Sequence, residues 1–393
     1  MVEWKKLGDL GPYFGGLTGK TKEDFVEGNA KFITYMNVFA NSSLDISSTG
    51  VVKINEGEKQ NKIQLGDILF TGSSETPEEA GMSCVVAEEL DEDYYMNSFC
   101  FGIRLDNPKQ YNLHYLKHVL RSNDVRKKIS KSASGVTRFN ISKARFGKIQ
   151  IPIPSISEQN RIVGILDTFT ASIENLKEQI AQRRKQYEYY RDQLLDLEGK
   201  DEKEIHSWGE FCEMIKGNGV QKADFVDEGV GCIHYGQIYT HYGSYTYETN
   251  KFVSKEVFEK ARKASKGDII MTDTSENVED ICKSVAWLGD NDIAVSNHAL
   301  IIKHKQNPKF LSYSTQTNSF FIQKRKVVIG VKVSGIKPDD LAEIKIYLPA
   351  IEEQNRIVLI LDTFEASIQN LEAQLSQREK QYEYYRNKLL TFE

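Results

Sequence analysis

The sequence predicts an α+β protein in which two mixed α/β domains are each followed by a long helix, and the two helices pair as an antiparallel coiled coil with pseudo-twofold symmetry. The first observation is an internal repeat: residues 158–198 recur at 353–393 and match at 29 of 41 positions without a gap. The second is the heptad spacing of apolar residues within each copy. The third is that short strand and turn patterns precede each copy. The predicted boundaries are 1–154 for domain 1, 155–198 for the first helical repeat, 199–349 for domain 2 and 350–393 for the second repeat.

Each repeat predicts a long helix, because apolar residues recur at steps of three and four and neither Gly nor Pro occurs in 169–198 or 364–393. At about 1.5 Å per residue, the stretch 169–197 would span roughly 43 Å. The shorter run 158–166 is interpreted as a separate helix, with Ser155 opening a capping box. The residues predicted to form the contact between the long helices are Ile173, Leu176, Ile180, Tyr187, Tyr190, Leu194, Ile368, Leu371, Leu375, Tyr382, Tyr385 and Leu389. The alternative is that each helix packs on its own domain as an ordinary amphipathic helix.

Composition excludes several classes of protein. Five scattered cysteines without a CxxC pair argue against a disulfide framework or a zinc site and favour a reducing cytoplasm. No stretch is apolar enough to cross a membrane, and the first residues do not resemble a signal peptide. The formal net charge of −5 does not by itself indicate nucleic acid.

The two domains are distantly related to each other. Each opens with a tryptophan, Trp4 or Trp208, and each then has Asp-Phe-Val followed by an apolar run that carries Tyr35 or Tyr235. Segments 65–81 and 266–282 share Gly-Asp, an apolar triplet and a hydroxyl-rich turn. Further elements are predicted by alternation and periodicity, as strands at 149–153 and 344–348 and as helices around 113–129 and 310–322.

Positive charge is concentrated in two runs that the net charge hides. Nine Lys or Arg and a single acid occur in 121–148, and eight Lys or Arg and no acid occur in 303–337. Since both runs lie just before the strand that leads to a repeat, we interpret them as faces that contact a polyanion through its phosphates, rather than as ordinary solvated surface. The candidate phosphate contacts are Lys131, Arg138, Lys143, Arg145, Lys324, Arg325 and Lys326.

Reading a base sequence requires polar side chains on turns that can enter a groove. The related turns of the two domains supply these candidates, although a tyrosine at alternating positions is also typical of a half-buried strand. The candidates are Tyr35, Asn37, Thr71, Ser73 and Ser74 in domain 1, and His234, Tyr235, Gln237, Thr272, Thr274, Ser275, Asn297 and His298 in domain 2.

The sequence contains no complete catalytic or metal-binding motif. The segment 15–21 resembles a phosphate loop, but Phe14 stands where the pattern requires glycine. His114 and His118 are one helical turn apart without a third ligand nearby, which favours core or exposed histidines over a metal site. The Asp/Asn-Pro-Pro-aromatic motif of adenine methyltransferases is absent, and no Ser-His-Asp arrangement follows from spacing. The sequence therefore predicts a binding and assembly protein without catalytic or metal-ligating residues.

The repeats also carry a family resemblance. The stretches IPIPSISEQNRIVGILD and RRKQYEYYRDQLL, and LPAIEEQNRIVLILD and REKQYEYYRNKLL, resemble the central and distal regions of the specificity subunit of type I restriction–modification systems. GDILFTGSSE and GDIIMTDTSE are similar to turns of its target-recognition domains. The resemblance covers the whole chain, and its most specific motifs are those of the helices.

This resemblance implies a non-catalytic subunit that recognises double-stranded DNA. Each domain would be a target-recognition domain for half of a bipartite, asymmetric site, and the antiparallel helices would set the spacing between the halves. Two modification subunits carrying S-adenosylmethionine would methylate adenine, and two restriction subunits, where present, would use ATP and Mg²⁺. This chain itself would bind no cofactor. The rivals are a structural scaffold with incidental basic runs and an enzyme that acts alone on DNA.

Overall fold

The computed structural model describes residues 2–330 and 334–392. The chain forms two compact units, one made of Met1–Lys177 with Ala373–Glu393 and the other of Glu178–Glu372. Each unit contains one globular domain and part of both long helices. Lys332 of the second basic run and Glu393 at the end of the second repeat lie outside the described residues.

Domain 1 contains small sheets joined by turns. Its strands are β1 (Glu3–Lys6), β2 (Tyr13–Gly15), β3 (Ala30–Ile33), β4 (Thr49–Val52), β5 (Ile68–Thr71), β6 (Ser73–Ser74), β7 (Ser83–Val85), β8 (Tyr94–Met96), β9 (Cys100–Ile103), β10 (Ala133–Ser134), β11 (Phe139–Ile141) and β12 (Gln150–Ile153). Strands β2, β9, β5 and β7 form an antiparallel sheet in that order, while β4, β3 and β8 form a second sheet in which β3 and β8 run parallel. A third sheet has the order β10, β11, β6, and β1 pairs with β12.

The helices of this half of the chain are α1 (Tyr35–Ala40), α2 (Leu113–Leu120), α3 (Asn123–Ser130), α4 (Lys143–Phe146) and the long α5 (Ile156–Leu195). The single helix predicted around 113–129 is therefore two helices. The break falls at Ser122, whose hydroxyl donates to the carbonyl of Val119 at 2.7 Å. Such a local side-chain bond competes with continuation of the helix.

The core of domain 1 lies on both faces of β5. Ile68 and Phe70 join the cluster of Phe101 and Phe146, whereas Leu69 faces the separate cluster that contains Ile33. Because every residue of β5 is buried, the strand reads as a continuous apolar run rather than as an alternation. Full burial of each large side chain is worth about 1.5–3 kcal/mol.

Domain 2 repeats this plan with more strands. They are β13 (Ile205–Ser207), β14 (Cys212–Lys216), β15 (Phe225–Val226), β16 (Val230–Ile233), β17 (Tyr245–Thr246), β18 (Lys251–Val253), β19 (Lys263–Ala264), β20 (Ile269–Thr272), β21 (Thr274–Ser275), β22 (Ser284–Trp287), β23 (Ile293–Val295), β24 (Ala299–His304), β25 (Ser334–Gly335) and β26 (Lys345–Tyr347). The sheet orders are β14-β24-β20-β22-β17 and β15-β18-β16-β23-β19, with β13 paired to β26 and β21 to β25.

The helices of the second half are α6 (Trp208–Phe211), α7 (Tyr235–Thr240), α8 (Lys255–Lys260), α9 (Pro308–Ser314), α10 (Asn318–Val327), α11 (Pro338–Ala342) and the long α12 (Ile351–Leu390). The helix predicted around 310–322 is again two helices. Thr317 separates them, because its hydroxyl accepts a hydrogen bond from the amide of Phe320 and so caps α10.

Helix α5 is continuous over 40 residues, so the prediction of a separate helix at 158–166 was wrong. No proline interrupts its hydrogen-bond ladder, and the lone Gly164 has open space around it. The capping box forms only in part. Ser155 Oγ accepts from the amide of Glu158 at 3.4 Å, but the Glu158 carboxylate binds Arg161 instead of reaching back.

The Gln of each of the two EQN motifs fastens its helix to a domain. Gln159 accepts a hydrogen bond from the amide of Asn112 at 2.9 Å and donates to the carbonyl of Pro154 at 2.8 Å. Gln354 makes the same pair of bonds with Asn307 and Pro349. Both glutamines are 1% exposed, so their bonds satisfy main-chain groups that would otherwise be buried without partners.

The long helices pair in antiparallel fashion, as predicted. In the first unit, Phe169 stacks on Tyr385 at 5.3 Å between ring centroids and Lys177 lies 3.9 Å from Glu379, so later residues of α5 meet earlier residues of α12. The guanidinium carbon of Arg378 lies 5.7 Å from the Phe169 ring centroid. Arg378 breaks the heptad pattern, and this contact gives it an aromatic partner.

The second unit contains the equivalent contacts. Tyr190 stacks on Phe364 at 5.4 Å, and Arg184 lies 2.6 Å from Glu372. The guanidinium carbon of Arg183 is 5.8 Å from the Phe364 ring centroid. The two halves of the repeat thus make the same contacts at equivalent positions.

Helix pairing is only part of what the heptad positions do. Tyr382, Leu389 and Leu390 of α12 pack into the core of domain 1 beside Ile162 and Leu166 of α5. In the second unit, Tyr187, Leu194 and Leu195 of α5 pack into the core of domain 2 beside Ile357 and Leu361 of α12. Tyr187 and Tyr382, which were predicted to face the other helix, therefore also contact a domain. Each domain has both long helices in its core.

His118 of α2 makes this arrangement polar as well as apolar. Its side chain is 1% exposed, with Nε2 2.9 Å from Asp167 Oδ1 on α5 and Nδ1 3.0 Å from the hydroxyl of Tyr382 on α12. In domain 2 the hydroxyl of Tyr313 donates to Asp362 at 2.7 Å. Each domain thus contributes a buried polar side chain that bonds an aspartate of the repeat, and Asp167 and Asp362 occupy equivalent positions in the two copies.

Candidate nucleic-acid interface

Three of the predicted reading residues of domain 1, together with Arg138 of the predicted phosphate contacts, meet in one cleft of about 370 Å³. The hydroxyl of Tyr35 donates to the carbonyl of Ser73 at 2.7 Å, and Arg138 Nε donates to Ser73 Oγ at 3.2 Å. We call this the domain-1 cleft, and it is lined by Tyr35, Met36, Phe39, Ser73, Ser74, Glu75, Glu79, Thr137 and Arg138. It forms where β11 pairs with β6 beside the start of α1.

Apolar side chains that line this cleft, or that adjoin its lining residues, were not predicted from the sequence. Met36 is 61% exposed, Phe99 is 55% exposed and Val136 is 91% exposed. The Phe99 ring centroid lies 5.2 Å from the guanidinium carbon of Arg138. The signal was a bulky apolar residue within a polar turn, as in Asn-Ser-Phe and Gly-Val-Thr, because such positions rarely reach a core.

Ser73 and Ser74 are only 6% and 7% exposed where they line the cleft, and the other two candidates of domain 1, Asn37 and Thr71, do not line it. Asn37 is 3% exposed and donates to the carbonyls of Asp45 and Ser48 at 2.6 and 2.7 Å. Thr71 is fully buried, and its hydroxyl accepts from the amide of Met82 at 2.9 Å. These side chains shape the turns beneath the cleft and have no free face for a base.

The equivalent edge of domain 2 brings together Tyr235, Thr274 and His298. His298 has φ +64° and a side chain that is 53% exposed, and its ring meets that of Tyr235 edge-on at 5.3 Å. Tyr239, rather than Tyr235, donates its hydroxyl to the carbonyl of Thr274. Tyr235 opens α7 and is half buried, so it does not lie in the strand that alternation would indicate.

A charged group lies beneath this edge. Asp273 is 3% exposed, with Oδ2 3.0 Å from Lys216 Nζ and Oδ1 4.0 Å from His298 Nδ1. Its Oδ1 has no hydrogen-bond partner within the described part of the chain. Asn297 is turned toward the protein, because its side-chain oxygen accepts from the amide of Gly219 at 3.1 Å. Ser275 is half buried on β21.

Three domain-2 candidates are structural. His234 is 6% exposed, its Nδ1 accepts from the amide of Gly236 at 3.1 Å, and burial lowers its pKa, so its ring is neutral. Gln237 accepts from the amide of His234 at 2.7 Å and donates to Asn250. Thr272 is fully buried, and its hydroxyl lies 3.3 Å from the carbonyl of Lys283.

The two edges are built alike but carry different side chains. The amide of Gly72 donates to the carbonyl of Phe99 at 2.7 Å, and the amide of Asp273 donates to the carbonyl of His298 at 3.2 Å. Phe99 and His298 therefore occupy equivalent positions. Domain 1 presents an aromatic ring and a guanidinium there, whereas domain 2 presents an imidazole over a carboxylate.

The basic runs divide into buried and exposed residues. Arg121 donates to the carbonyls of Val38, Phe39, Asn41 and Ser83, and burial lowers its pKa to about 10. Arg126 donates to three carbonyls of the turn at 78–81, and burial lowers its pKa to about 10 as well. Both arginines stabilise turns rather than face solvent.

Lys324 was predicted to be an exposed cation, but its side chain is buried. It is 5% exposed, and Nζ donates to the carbonyls of Glu279 and Ile281 at 2.8 and 2.7 Å, so it is not available to a phosphate. Burial lowers its pKa. The remaining candidates of these runs are exposed, namely Lys131, Arg138, Lys143, Arg145, Arg325 and Lys326.

Comparison with known proteins identifies the family. The sequence profile described as "Type I restriction modification DNA specificity domain" matches residues 1–183 and 200–379. The chain belongs to this family. Its two copies of the profile each cover one domain and part of a long helix, in agreement with the internal repeat.

Two curated relatives of this specificity-domain family are similar over most of their length. S.HindORF215P of Haemophilus influenzae, whose name describes a type I restriction enzyme specificity subunit, is 29% identical over 279 residues, covering 66% of this chain and 68% of that protein. The EcoR124I/EcoR124II specificity subunit of Escherichia coli is 29% identical over 266 residues, covering 62% of this chain and 63%, slightly under two thirds, of that subunit.

Solved structures share the fold of the specificity subunit. The S subunit of a type I restriction–modification system from M. genitalium matches with a TM-score of 0.52 at 17% identity, over 100% of this chain and 97% of that one. A chain from a structure titled for complex assembly and conformational transition of the type I system matches with a TM-score of 0.62 at 15% identity, over 99% and 97%. None of the described helices has the length and apolar character to cross a bilayer.

Proposed function

We propose that this chain is the DNA-recognition subunit of a type I restriction–modification complex and that its two domains read unlike halves of one bipartite site. The observation that carries this proposal is the pair of equivalent edges with different side chains. Equivalent frames would meet DNA in the same way, and different side chains would read different bases, which makes the site asymmetric.

Phosphate contacts come from the exposed cations of the basic runs. Lys131, Lys143 and Arg145 belong to domain 1, and Arg325 and Lys326 belong to domain 2. Such contacts provide salt-dependent affinity that is independent of sequence. Base discrimination is then left to the domain-1 cleft and to the edge at Tyr235 and His298.

The long helices are proposed as the platform for two adenine methyltransferase subunits. Tyr189 is 61% exposed and Tyr384 is 58% exposed, and both belong to the repeated KQYEYYR motif. Exposed tyrosines among charged residues are typical of protein contact surfaces. Arg184, Lys185 and Glu188 are further candidates for this contact. S-adenosylmethionine would be held by the modification subunits, and ATP with Mg²⁺ by restriction subunits, in the cytoplasm.

Methylated-adenine mapping in cells that carry this chain and its modification subunits tests the proposal. We expect one bipartite motif with two unlike half-sites, and we expect the purified complex to bind that motif with affinity that falls steeply as salt rises. Absence of any methylated motif together with salt-independent or undetectable DNA binding would instead support a structural scaffold. Methylation by the isolated chain would support an enzyme that acts alone.

A further inference from the structure

We propose that Arg138 reads a guanine in the half-site of domain 1. This inference rests on the proposed function and names the base that one side chain of the domain-1 cleft recognises. Arg138 lies in the turn between β10 and β11, the strand pair that continues the sheet from Ser73 and Ser74. Its side chain is exposed at the rim of the domain-1 cleft.

The guanidinium is held in place by two contacts that leave its outer edge open. Nε donates to Ser73 Oγ at 3.2 Å, and the guanidinium carbon lies 5.2 Å from the Phe99 ring centroid. Ser73 is in turn fixed by its carbonyl, which accepts the hydroxyl of Tyr35. Among the residues that the structure describes, only one of the five N–H donors of Arg138 has a partner, and both terminal nitrogens remain available.

The absence of an ion pair supports a reading role. Within the described part of the chain, no carboxylate lies within ion-pair distance of Arg138. Arg104 and Arg161, by contrast, each have a carboxylate at 2.9 Å or less. Arg145 is also unpaired, but its side chain has no hydrogen bond or aromatic contact to fix it in the described structure. A guanidinium held in one orientation can place two N–H groups against the acceptors of a base edge. A cation that is not held in place is better suited to a phosphate, which can be approached from many directions.

The walls of the cleft favour a base pair over a phosphate. Glu75 and Glu79 line the same cleft as Arg138, and their carboxylates would repel a phosphate. In the major groove, guanine presents two acceptors, O6 and N7, and its partner cytosine presents an N4 amino donor. A cleft with a free guanidinium fork and exposed carboxylates matches a G·C pair, with Arg138 bidentate to the guanine.

The test uses the complex of this chain with its modification subunits and duplexes that carry the mapped motif. Each half-site guanine is replaced in turn by 7-deazaguanine, which lacks the N7 acceptor, or the pair is exchanged for A·T. For the wild-type complex we expect one guanine in one half-site at which exchange weakens binding by about 5- to 150-fold. We expect 7-deazaguanine at the same position to weaken it by at least about 5-fold.

Arg138→Ala should remove this discrimination at that position, leaving less than about a 2-fold difference, and should leave the other half-site unchanged. Arg138→Lys keeps the charge but loses the fork, so it should also lose discrimination. Arg145→Ala is the matched control, and it should weaken all duplexes evenly while the guanine preference remains.

Several results would overturn the inference. One is a wild-type complex that binds 7-deazaguanine duplexes as well as guanine duplexes at every position, which needs no variant to fold. Another is an Arg138→Lys complex with the full wild-type preference, and a third is a motif without a G·C pair in either half-site. Failure of the proposed function would be recognised separately, because the wild-type complex would then show no bipartite motif at all.

Discussion

At the scale of single residues, His118 shows how the charge state of one side chain is built into the core. A neutral imidazole has one donor and one acceptor, which suits Nε2–H donating to Asp167 and Nδ1 accepting from Tyr382. Burial is the largest influence on His118 and lowers its pKa, although the bond to Asp167 opposes it. Burial would raise the pKa of Asp167, but hydrogen bonds from His118 and Lys117 together prevail and lower it to about 2.

This arrangement predicts a loss of stability in mild acid. Because the pKa of His118 is lower in the folded chain than the ordinary value near 6.5, the unfolded chain binds more protons as the pH falls below about 6.5. Stability is therefore lost as the pH falls from about 6.5 toward the lower pKa of His118 in the folded chain. His234 and His304 contribute in the same direction, because burial lowers the pKa of each of them as well. We expect the urea midpoint to fall between pH 7 and pH 5, as followed by circular dichroism.

The variant His118→Gln should flatten this dependence, since it removes one of the titrating groups. His241→Gln, which replaces an exposed histidine just after α7, is the control for the substitution itself, and the difference in slope between the two variants measures the contribution of His118. An unchanged slope in His118→Gln would show that His118 does not contribute. Asp167 does not confuse the result, because its titration lies well below pH 5.

At the scale of elements, the repeated EQN motif explains why the start of each long helix is duplicated so closely. Gln159 and Gln354 each join a helix, a strand end and the loop before a domain helix through paired main-chain bonds. A side-chain amide offers both the donor and the acceptor that these positions require. The identity of the two copies at this point is thus a consequence of buried main-chain chemistry.

We expect Gln159→Leu to lower the free energy of unfolding by about 1–3 kcal/mol, because the amide of Asn112 and the carbonyl of Pro154 lose their partner while buried. Gln182→Leu on the exposed face of the same helix should change it by less than about 0.5 kcal/mol. Urea denaturation of both variants measures the difference. Equal stability of the two variants would contradict this role of Gln159.

The tyrosines of the repeated KQYEYYR motif permit a second comparison on one helix. Tyr382 lies in the domain-1 core and bonds His118, whereas Tyr384 is 58% exposed. Tyr382→Asp should therefore lower stability by at least about 3 kcal/mol, because a charge would be buried without a partner, and Tyr384→Asp should have little effect. Limited proteolysis and urea titration report the outcome. A Tyr382→Asp chain as resistant as the wild type would refute the assignment.

At the scale of the whole molecule, most of the architecture was predictable because it depends on repetition. The internal repeat indicated two domains and two long helices, and heptad spacing indicated that the helices pair. The contacts of Phe169 with Tyr385 and of Phe364 with Tyr190 confirm the antiparallel pairing that was predicted. The breaks at Ser122 and Thr317 were not predicted, since hydroxyls that cap or terminate a helix look like ordinary polar residues in a periodic pattern.

The site was less predictable than the fold. The turns around Ser73 and Thr274 were located by comparing the two domains, but Asn37, Thr71, Gln237 and Thr272 are interior. Residue type cannot tell a side chain that bonds its own turn from one that faces solvent. Lys324 illustrates the same difficulty for charge, because only the structure reveals its two carbonyl partners.

The helices offer a test of how the spacing of the two half-sites is set. Under the proposed function, adding one heptad to both helices at 169–180 and 364–375 lengthens each by about 10.5 Å, close to three base-pair steps at 3.4 Å. We expect methylome sequencing to show a spacer changed by about three base pairs, with both half-sites retained. Changed half-sites with an unchanged spacer would count against helices that act as a ruler.

The shared core of domain 1 also has a consequence for biosynthesis. Its apolar interior requires Leu390 and Tyr382, which the ribosome adds some 200 residues after Ile162 and Leu166. At about 5–20 residues per second, the nascent N-terminal half would wait roughly 10–40 s before these residues can pack into the core of domain 1. We expect this core to expose apolar side chains during that interval, and it is complete only when the last helix of the chain has been made.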